Sequence, residues 1–272
     1  MEDIRDVLFQ DVCQKKFRAV LVAERAGILS GVQAAKAQAA KVGVGLELCK
    51  QEGDSIGHNE RIGHIVASPK EMAMAEESVI GTLAKASGIA TAANTAVLLA
   101  DGKTRVICGS WKKMPPELKS VVRQAVMAGG VSFRICDTPM IYLDKNYIRM
   151  LGSISLALAA CLPFKGYTRV IQIRSEDGDV MEQTVQAVQG GAGILMVDTG
   201  KLEDLDRCVG CLESMGARSQ VKVAFSGNVK LTDIPALAQR DIDLLCIGKE
   251  IVDAQLLDMK LDVVGEEGKT WG

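Results

Sequence analysis

The stretch "DVMEQTVQAVQGGAGILMVDTG", Asp179 to Gly200, reads as a helix, a glycine turn and a buried strand. Apolar residues recur at helical spacing up to Gly190 and Gly191. The string ILMVD then runs apolar until it meets Asp198. The same unit recurs on both sides. TRVICGS, MIYL, RVIQIRS, VKVAFSGNV and IDLLCIGKE read as strands. PPELKSVVRQAVMAGG, ISLALAACLPF, LEDLDRCVGCLESMG and LTDIPALAQRD read as the helices between them, the first opened by prolines and closed by glycines. Strands alternating with helices over about 145 residues require a parallel sheet, because each helical crossover returns the next strand in the same direction. An open sheet and a barrel both satisfy this pattern.

Upstream the texture differs. FRAVLVA and RIGHIVASP read as strands, LELCKQEGDSIG as a strand and turn, and VQAAKAQAAKVG as a helix ended by Gly43. PKEMAMAEESVIGTLAKASGIATAANTAVLLADG predicts a long helical region with breaks at Gly81 and Gly88. The expected boundaries are residues 1–103 for an N-terminal α/β domain, with its long helix at 70–100. Residues 104–262 form the βα-repeat domain and 263–272 a C-terminal tail.

A chain of 272 residues allows one large domain or two smaller ones. Its 48% hydrophobic and 24% charged content suits a folded enzyme or binding protein. A net charge of −2 gives no general attraction to nucleic acid or an anionic membrane. Aromatic content of 4% argues against a base-stacking platform. No apolar run is read as reaching the roughly 18 residues of a membrane span. The acidic N-terminus is not a signal peptide, so a cytoplasmic location is expected. The 8 cysteines are expected as reduced, buried thiols. Cys208 and Cys211 form one CxxC inside a helical pattern, and helix packing is favoured over zinc because no second pair lies nearby. His58 and His64 read as surface or packing residues.

In a barrel, ligands bind at the C-terminal strand ends. Those ends read Gly109-Ser110, Asp144-Lys145-Asn146, Arg174-Ser175-Glu176, Asp198-Thr199, Ser226-Gly227-Asn228 and Gly248-Lys249. Hydroxyls, glycines, carboxylates and cations together suit phosphate and metal. Glycines after the last two strands let backbone N–H groups reach phosphate oxygens. Asp198 is a candidate for holding Mg²⁺, directly or through water.

The segments "AERAGILSGVQAAK", "KQEGDSIGHNERIGHIVAS", "GTLAKASGIAT", "AVMAGGVSFR" and "LMVDTG…FSGNV…DLLCIG" resemble the quinolinate phosphoribosyltransferase family, the nicotinate-nucleotide pyrophosphorylases (carboxylating). The resemblance covers nearly the whole chain, and SGIAT, Ser87 to Thr91, is its most specific motif. It implies an open α/β sandwich followed by an incomplete α/β barrel. It implies a homodimer, or a multiple of dimers, in which the N-terminal domain of one subunit faces the barrel of the other. It also implies transfer of phosphoribose from phosphoribosyl pyrophosphate to quinolinate, with Mg²⁺ and loss of CO₂. Carried over residue by residue, it places phosphate binding at Ser226, Gly227 and Gly248, with Asn228 beside them. It places a metal- or ribose-facing carboxylate at Asp198 and a pyrophosphate-facing lysine at Lys112. Asn146 also matches.

The acceptor side departs from the family. Quinolinate carries two carboxylates, which the family surrounds with cations, as charge-assisted pairing requires. Here Glu77 and Trp111 stand where the family has arginines. Phe133-Arg134 replaces a His-Arg pair. Asp144-Lys145-Asn146-Tyr147 replaces Lys-Asp-Asn-His. Gln172 or Arg174 replaces a glutamate, and Lys249 to Asp253 holds no histidine. Carboxylates in place of cations repel a dicarboxylate when desolvated. Three readings result. One is a phosphoribosyltransferase for a flatter, less anionic aromatic base, with Lys112, Asp198 and Glu77 catalytic and Glu77 or Asp144 a general base if burial raises its pKa. The second is a true quinolinate phosphoribosyltransferase relying on Arg134, Lys145 and Lys112. The third is a non-catalytic dimeric relative that binds without reacting.

Overall fold

The computed structural model describes residues 3–268. The strands in chain order are β1 (Phe17–Ala23), β2 (Gly27–Ile28), β3 (Leu46–Leu48), β4 (Ser55–Ile56), β5 (Glu60–Ala67), β6 (Arg105–Ile107), β7 (Met140–Leu143), β8 (Thr168–Ile173), β9 (Ile194–Asp198), β10 (Lys222–Ser226), β11 (Leu244–Cys246) and β12 (Met259–Glu266). They build a four-stranded sheet ordered β12-β1-β5-β3, a six-stranded sheet ordered β6-β11-β10-β9-β8-β7, and a small β2-β4 pair.

The six-stranded sheet is parallel throughout. Its central strands β8, β9 and β10 are buried along nearly their whole length, as expected for a parallel sheet covered on both faces. Strands β6 and β7 are consecutive in sequence yet lie at opposite ends of the sheet order. An isolated bridge, Ile107 to Ser132, ties β6 to the segment leading into β7. This is the incomplete α/β barrel that the resemblance implies. Its interior is filled by Ile107, Ile135, Val170, Ile194, Met196, Ala224 and Leu244.

The four-stranded sheet is antiparallel in its described pairings. It packs with the Val32–Lys41 helix and the first part of the long helix around Leu21, Leu29, Ile62, Ile65 and Leu83. The long helix starts at Pro69, behind a capping box in which Ser68 and Glu71 bond reciprocally. It continues to Ala100 through a π-type turn at Glu76–Ile80.

Four expectations change here. Gly81 and Gly88 do not break the helix. Gly88 is small because the backbone of Gln255 and Leu256 runs against it, with the Leu256 Cα 3.3 Å from where a Cβ would stand. The segment Pro69–Ala100 is long and apolar enough to cross a membrane by composition, although no such run was expected. Much of its apolar surface is core: Met72, Val79, Leu83 and Ile89 are all buried. The domain limits also differ. One unit comprises Met1–Thr95, Lys113–Gly130 and Ile251–Gly272; the other comprises Ala96–Lys112 and Val131–Glu250. Residues 259–266 are not a barrel end and a tail, because β12 pairs with β1 along its length, Phe17 opposite Glu266 and Ala23 opposite Met259. The end of the expected tail, residues 269–272, lies outside the described residues. The Lys119–Ala128 helix joins the first unit as well, since Gly129 lies against Ala93 and Asn94. Finally, the cysteines are not uniformly buried, since Cys13 and Cys49 are exposed.

Cys208 and Cys211 share the buried face of the Leu202–Ser214 helix. Cys208 accepts a hydrogen bond from the Thr184 hydroxyl, and burial pushes its thiol up to about 11. This is helix packing.

Candidate functional site

The sheet register sets the site. Asp198 ends β9 directly opposite Ser226, which ends β10. The Ser226 hydroxyl donates to Asp198 Oδ1. One strand over, Gln172 on β8 donates its Nε2 to Asp198 Oδ2 at 2.5 Å. Arg174 follows two residues later and places Nη1 3.4 Å from the same oxygen. Positions 172 and 174 lie on one face of the chain, as the two-residue strand period dictates. Gln172 is itself held, because its Oε1 accepts the Lys145 backbone N–H at 2.7 Å.

Glycine geometry shapes the neighbouring turns. Gly200 and Gly227 both have positive φ, +69° and +119°. They touch so closely that a Cβ on Gly227 would stand 2.6 Å from the Gly200 Cα. The Gly200 N–H donates to the Ser226 carbonyl at 2.9 Å. Asn228 follows in a left-handed conformation at φ 56°. Gly248 has no room for a side chain either, because Ser110 fills that place. Small residues thus bring the β9 and β10 turns together and set the β11 turn against Ser110, which follows β6.

Lys112 lies with its Nζ 4.7 Å from the centroid of the Tyr142 ring, a cation–π distance. Burial, and then the Asp198 carboxylate, push the Tyr142 phenol above its ordinary value, so it stays neutral. Trp111 donates its indole N–H to the Phe133 carbonyl at 3.1 Å. The two rings meet edge to face at 6.0 Å. Arg134 stacks over the Phe133 ring at 5.5 Å.

Asp144 has a structural task. It caps the Lys145–Leu151 helix, and its Oδ1 accepts the N–H groups of Asn146 at 2.9 Å and Tyr147 at 3.1 Å. Asn146 and Tyr147 are exposed on the first turn of that helix. Lys145, Gln172 and Asp177 line a cleft of about 290 Å³ beside it.

Glu77 belongs to the first unit, on the π-type turn. Its carboxylate is 66% exposed and pairs with Arg5 at 2.6 Å. The burial on which its role as a general base is conditioned is not present at this side chain. His64 faces Glu47 at 3.3 Å on the N-terminal sheet, and His58 bonds the Glu24 carbonyl. The SGIAT motif is also structural in this unit. Buried Ser87 accepts the Ser30 N–H at 3.0 Å and donates to the Ser30 carbonyl, while Thr91 accepts the Ile28 N–H at 2.9 Å.

The expected Mg²⁺ meets a poor donor set. Both oxygens of Asp198 are engaged by hydrogen-bond donors. Among the described residues no group of three or more His, Cys, Asp or Glu side chains could hold a metal. Reading strand ends alone missed Gln172 and Arg174 as partners of Asp198. The signal was their two-residue spacing at and just past the end of β8, which aims both at the end of β9.

The family models for the quinolinate phosphoribosyl transferase N-terminal and C-terminal domains match residues 6–87 and 89–262. The chain belongs to the quinolinate phosphoribosyl transferase family. A probable nicotinate-nucleotide pyrophosphorylase (carboxylating) from Methanothermobacter thermautotrophicus is 26% identical over 271 residues, covering 96% of this chain and 95% of that family member. The nicotinate-nucleotide pyrophosphorylase (carboxylating) of Rattus norvegicus is 25% identical and covers 92% of this chain and 82% of its own. The solved family structure from Francisella tularensis superposes with a TM-score of 0.78 at 22% identity, covering 96% of this chain and 94% of that one. The structure from Ehrlichia chaffeensis gives 0.80 at 20% identity, with 95% and 92% covered. These structures share the fold: an antiparallel N-terminal sheet with a six-stranded parallel sheet.

Proposed function

We propose that this chain transfers phosphoribose from phosphoribosyl pyrophosphate to the ring nitrogen of an aromatic base carrying less negative charge than quinolinate. Membership of a phosphoribosyltransferase family supports the reaction class. The observation that carries the acceptor assignment is Asp144. Its carboxylate is fixed at the end of β7 by two helix N–H groups, on the strand end where the resemblance calls for a lysine. An anion held there disfavours a dicarboxylate, and the aromatic Trp111–Phe133 pair suits a flat ring.

The chain's own residues then divide the work. The turns at Ser226-Gly227-Asn228 and Gly248 receive the phosphate of the donor through backbone N–H groups. Asp198, oriented by Ser226 and Gln172, faces the ribose hydroxyls. In the reaction the acceptor nitrogen bonds to the anomeric carbon, and the bond from that carbon to the pyrophosphate oxygen breaks. The electron pair leaves with pyrophosphate. Lys112 steadies the charge that develops on it, because a positioned cation acts most strongly where charge appears in the transition state. The first-unit residue Glu77 has no assigned part, since its carboxylate is exposed and paired with Arg5.

A second reading is quinolinate itself as acceptor. It is favoured by likeness to nicotinate-nucleotide pyrophosphorylases along nearly the full chain. Arg134 and Lys112 supply cations for it. Pyrophosphate release and mononucleotide formation, followed with quinolinate, with pyridine monocarboxylates and with neutral aromatic bases, separate the two. The proposal expects kcat/KM for quinolinate to fall below that for a monoanionic or neutral base. Quinolinate as the best acceptor would establish the second reading, and binding of donor without turnover of any base would point to a non-catalytic relative.

A further inference from the structure

We infer that Arg174 stands at Asp198 in the place a divalent cation would take. The site then receives its phosphate-bearing donor without a metal ion held by the protein. The donor half of this inference rests on the function proposed above; the metal half does not.

Three donors already occupy Asp198. Ser226 donates to Oδ1, while Gln172 and Arg174 both donate to Oδ2. Gln172 cannot turn its amide to offer oxygen instead. Its Oε1 accepts the Lys145 N–H at 2.7 Å, and a flip would break that bond and set two acceptors face to face. A small hard cation requires oxygen ligands in near-octahedral order. Here the nearest groups to Asp198 present N–H and O–H.

Arg174 is built in rather than draped over the surface. Its backbone N–H donates to Gln183 Oε1 at 3.1 Å, and its carbonyl accepts Gln183 Nε2 at 2.8 Å. Its side chain is only 19% exposed. Glu176 holds Nη2 at 2.7 Å from one side while Asp198 meets Nη1 from the other. The Nε is buried and has no hydrogen-bond acceptor, with Asp177 Oδ2 4.0 Å away. Glu176 does not complete a metal site, because its carboxylate is 70% exposed and spent on Arg174. A planar guanidinium, charged at any cellular pH and shared with Glu176, offsets part of the negative charge of Asp198. Without it, the Asp198 carboxylate would repel an incoming pyrophosphate group. Arg174 is therefore a positioning residue: it acts on the donor through Asp198.

Two measurements on the full chain test this. The first titrates Mn²⁺ and reads free ion by electron paramagnetic resonance. The inference expects no site on the wild type tighter than about 1 mM, a weak level for an oxygen-ligand site. One tighter site, lost in Asp198→Asn, would overturn it. The second measures pyrophosphate binding by calorimetry in EDTA. Binding is expected in the wild type, weakened roughly tenfold or more in Arg174→Gln and largely restored in Arg174→Lys, as loss and return of a desolvated cation require. Melting temperatures confirm that each variant folds. Wild-type binding that appears only on adding Mg²⁺ would overturn the inference, as would an unchanged affinity in a folded Arg174→Gln. Absence of pyrophosphate binding under both conditions would sink the proposed function instead, and the Mn²⁺ titration would still decide the metal half.

Discussion

Gln172 and Asp198, on adjacent strands, are joined by a hydrogen bond of 2.5 Å from the side-chain amide to the carboxylate. The chemistry of the pair requires one donor and one acceptor. Gln172→Glu would place two carboxylates within that distance, and one of them would hold a proton above the usual carboxylate range. The folded state would then bind that proton more tightly than the unfolded state. Stability relative to the wild type therefore falls as pH rises from the unfolded carboxylate value through the raised folded one. A loss of about 1–3 kcal/mol is expected at pH 8, and a smaller one at pH 5. Urea unfolding at both pH values checks this. Equal losses would mean that the two side chains do not share a hydrogen bond.

The Gly200–Gly227 contact predicts a position where even one methyl group is refused. Gly227 combines φ +119° with a backbone neighbour 2.6 Å from any Cβ. Gly227→Ala should cost about 2 kcal/mol or more, through conformational strain and overpacking together. Gly210→Ala, on the Leu202–Ser214 helix with nothing within 4 Å of the added Cβ, serves as a control. Chemical denaturation of both variants separates a crowded turn from a general intolerance of change.

Two glycines on the long helix should respond with opposite signs. Gly81 has open space around its Cβ position and ordinary helical dihedrals. Gly81→Ala is expected to stabilise by about 0.5–1 kcal/mol through helix propensity. Gly88 is pressed by the Gln255–Leu256 backbone, so Gly88→Ala should destabilise by about 1–3 kcal/mol. A pair of melting curves decides it, and a shift of the same sign in both would contradict the packing described.

Much of the barrel was legible in the sequence because its parallel strands are buried on both faces. ILMVD on β9 and KVAFS on β10 read as apolar strings and form as such. The return of β12 to pair with β1 was not legible. MKLDVVGE carries exposed positions along an edge strand, and its partner lies some 240 residues earlier in the chain, a pairing no local pattern records. The glycines of the long helix read as breaks because close backbone approach from residue 255 leaves no mark on residue 88. At the site, Asp198, Ser226 and Gly227 could be singled out as strand-end residues. The partners that occupy Asp198 could not, because register between β8, β9 and β10 decides which side chains meet. Asp144 read as a strand-end charge, and its second task, capping a helix through one oxygen, shows only in the structure. The SGIAT hydroxyls read as a motif and turn out to satisfy the backbone of residues 28 and 30.

The most direct test of the central claim is binding of phosphoribosyl pyrophosphate to the wild-type chain, followed by calorimetry in the presence of Mg²⁺. Saturable binding below about 1 mM, competed by pyrophosphate, is the predicted result for a site that holds the donor. No heat and no protection from thermal unfolding at millimolar donor would contradict phosphoribosyl transfer as the function of this protein.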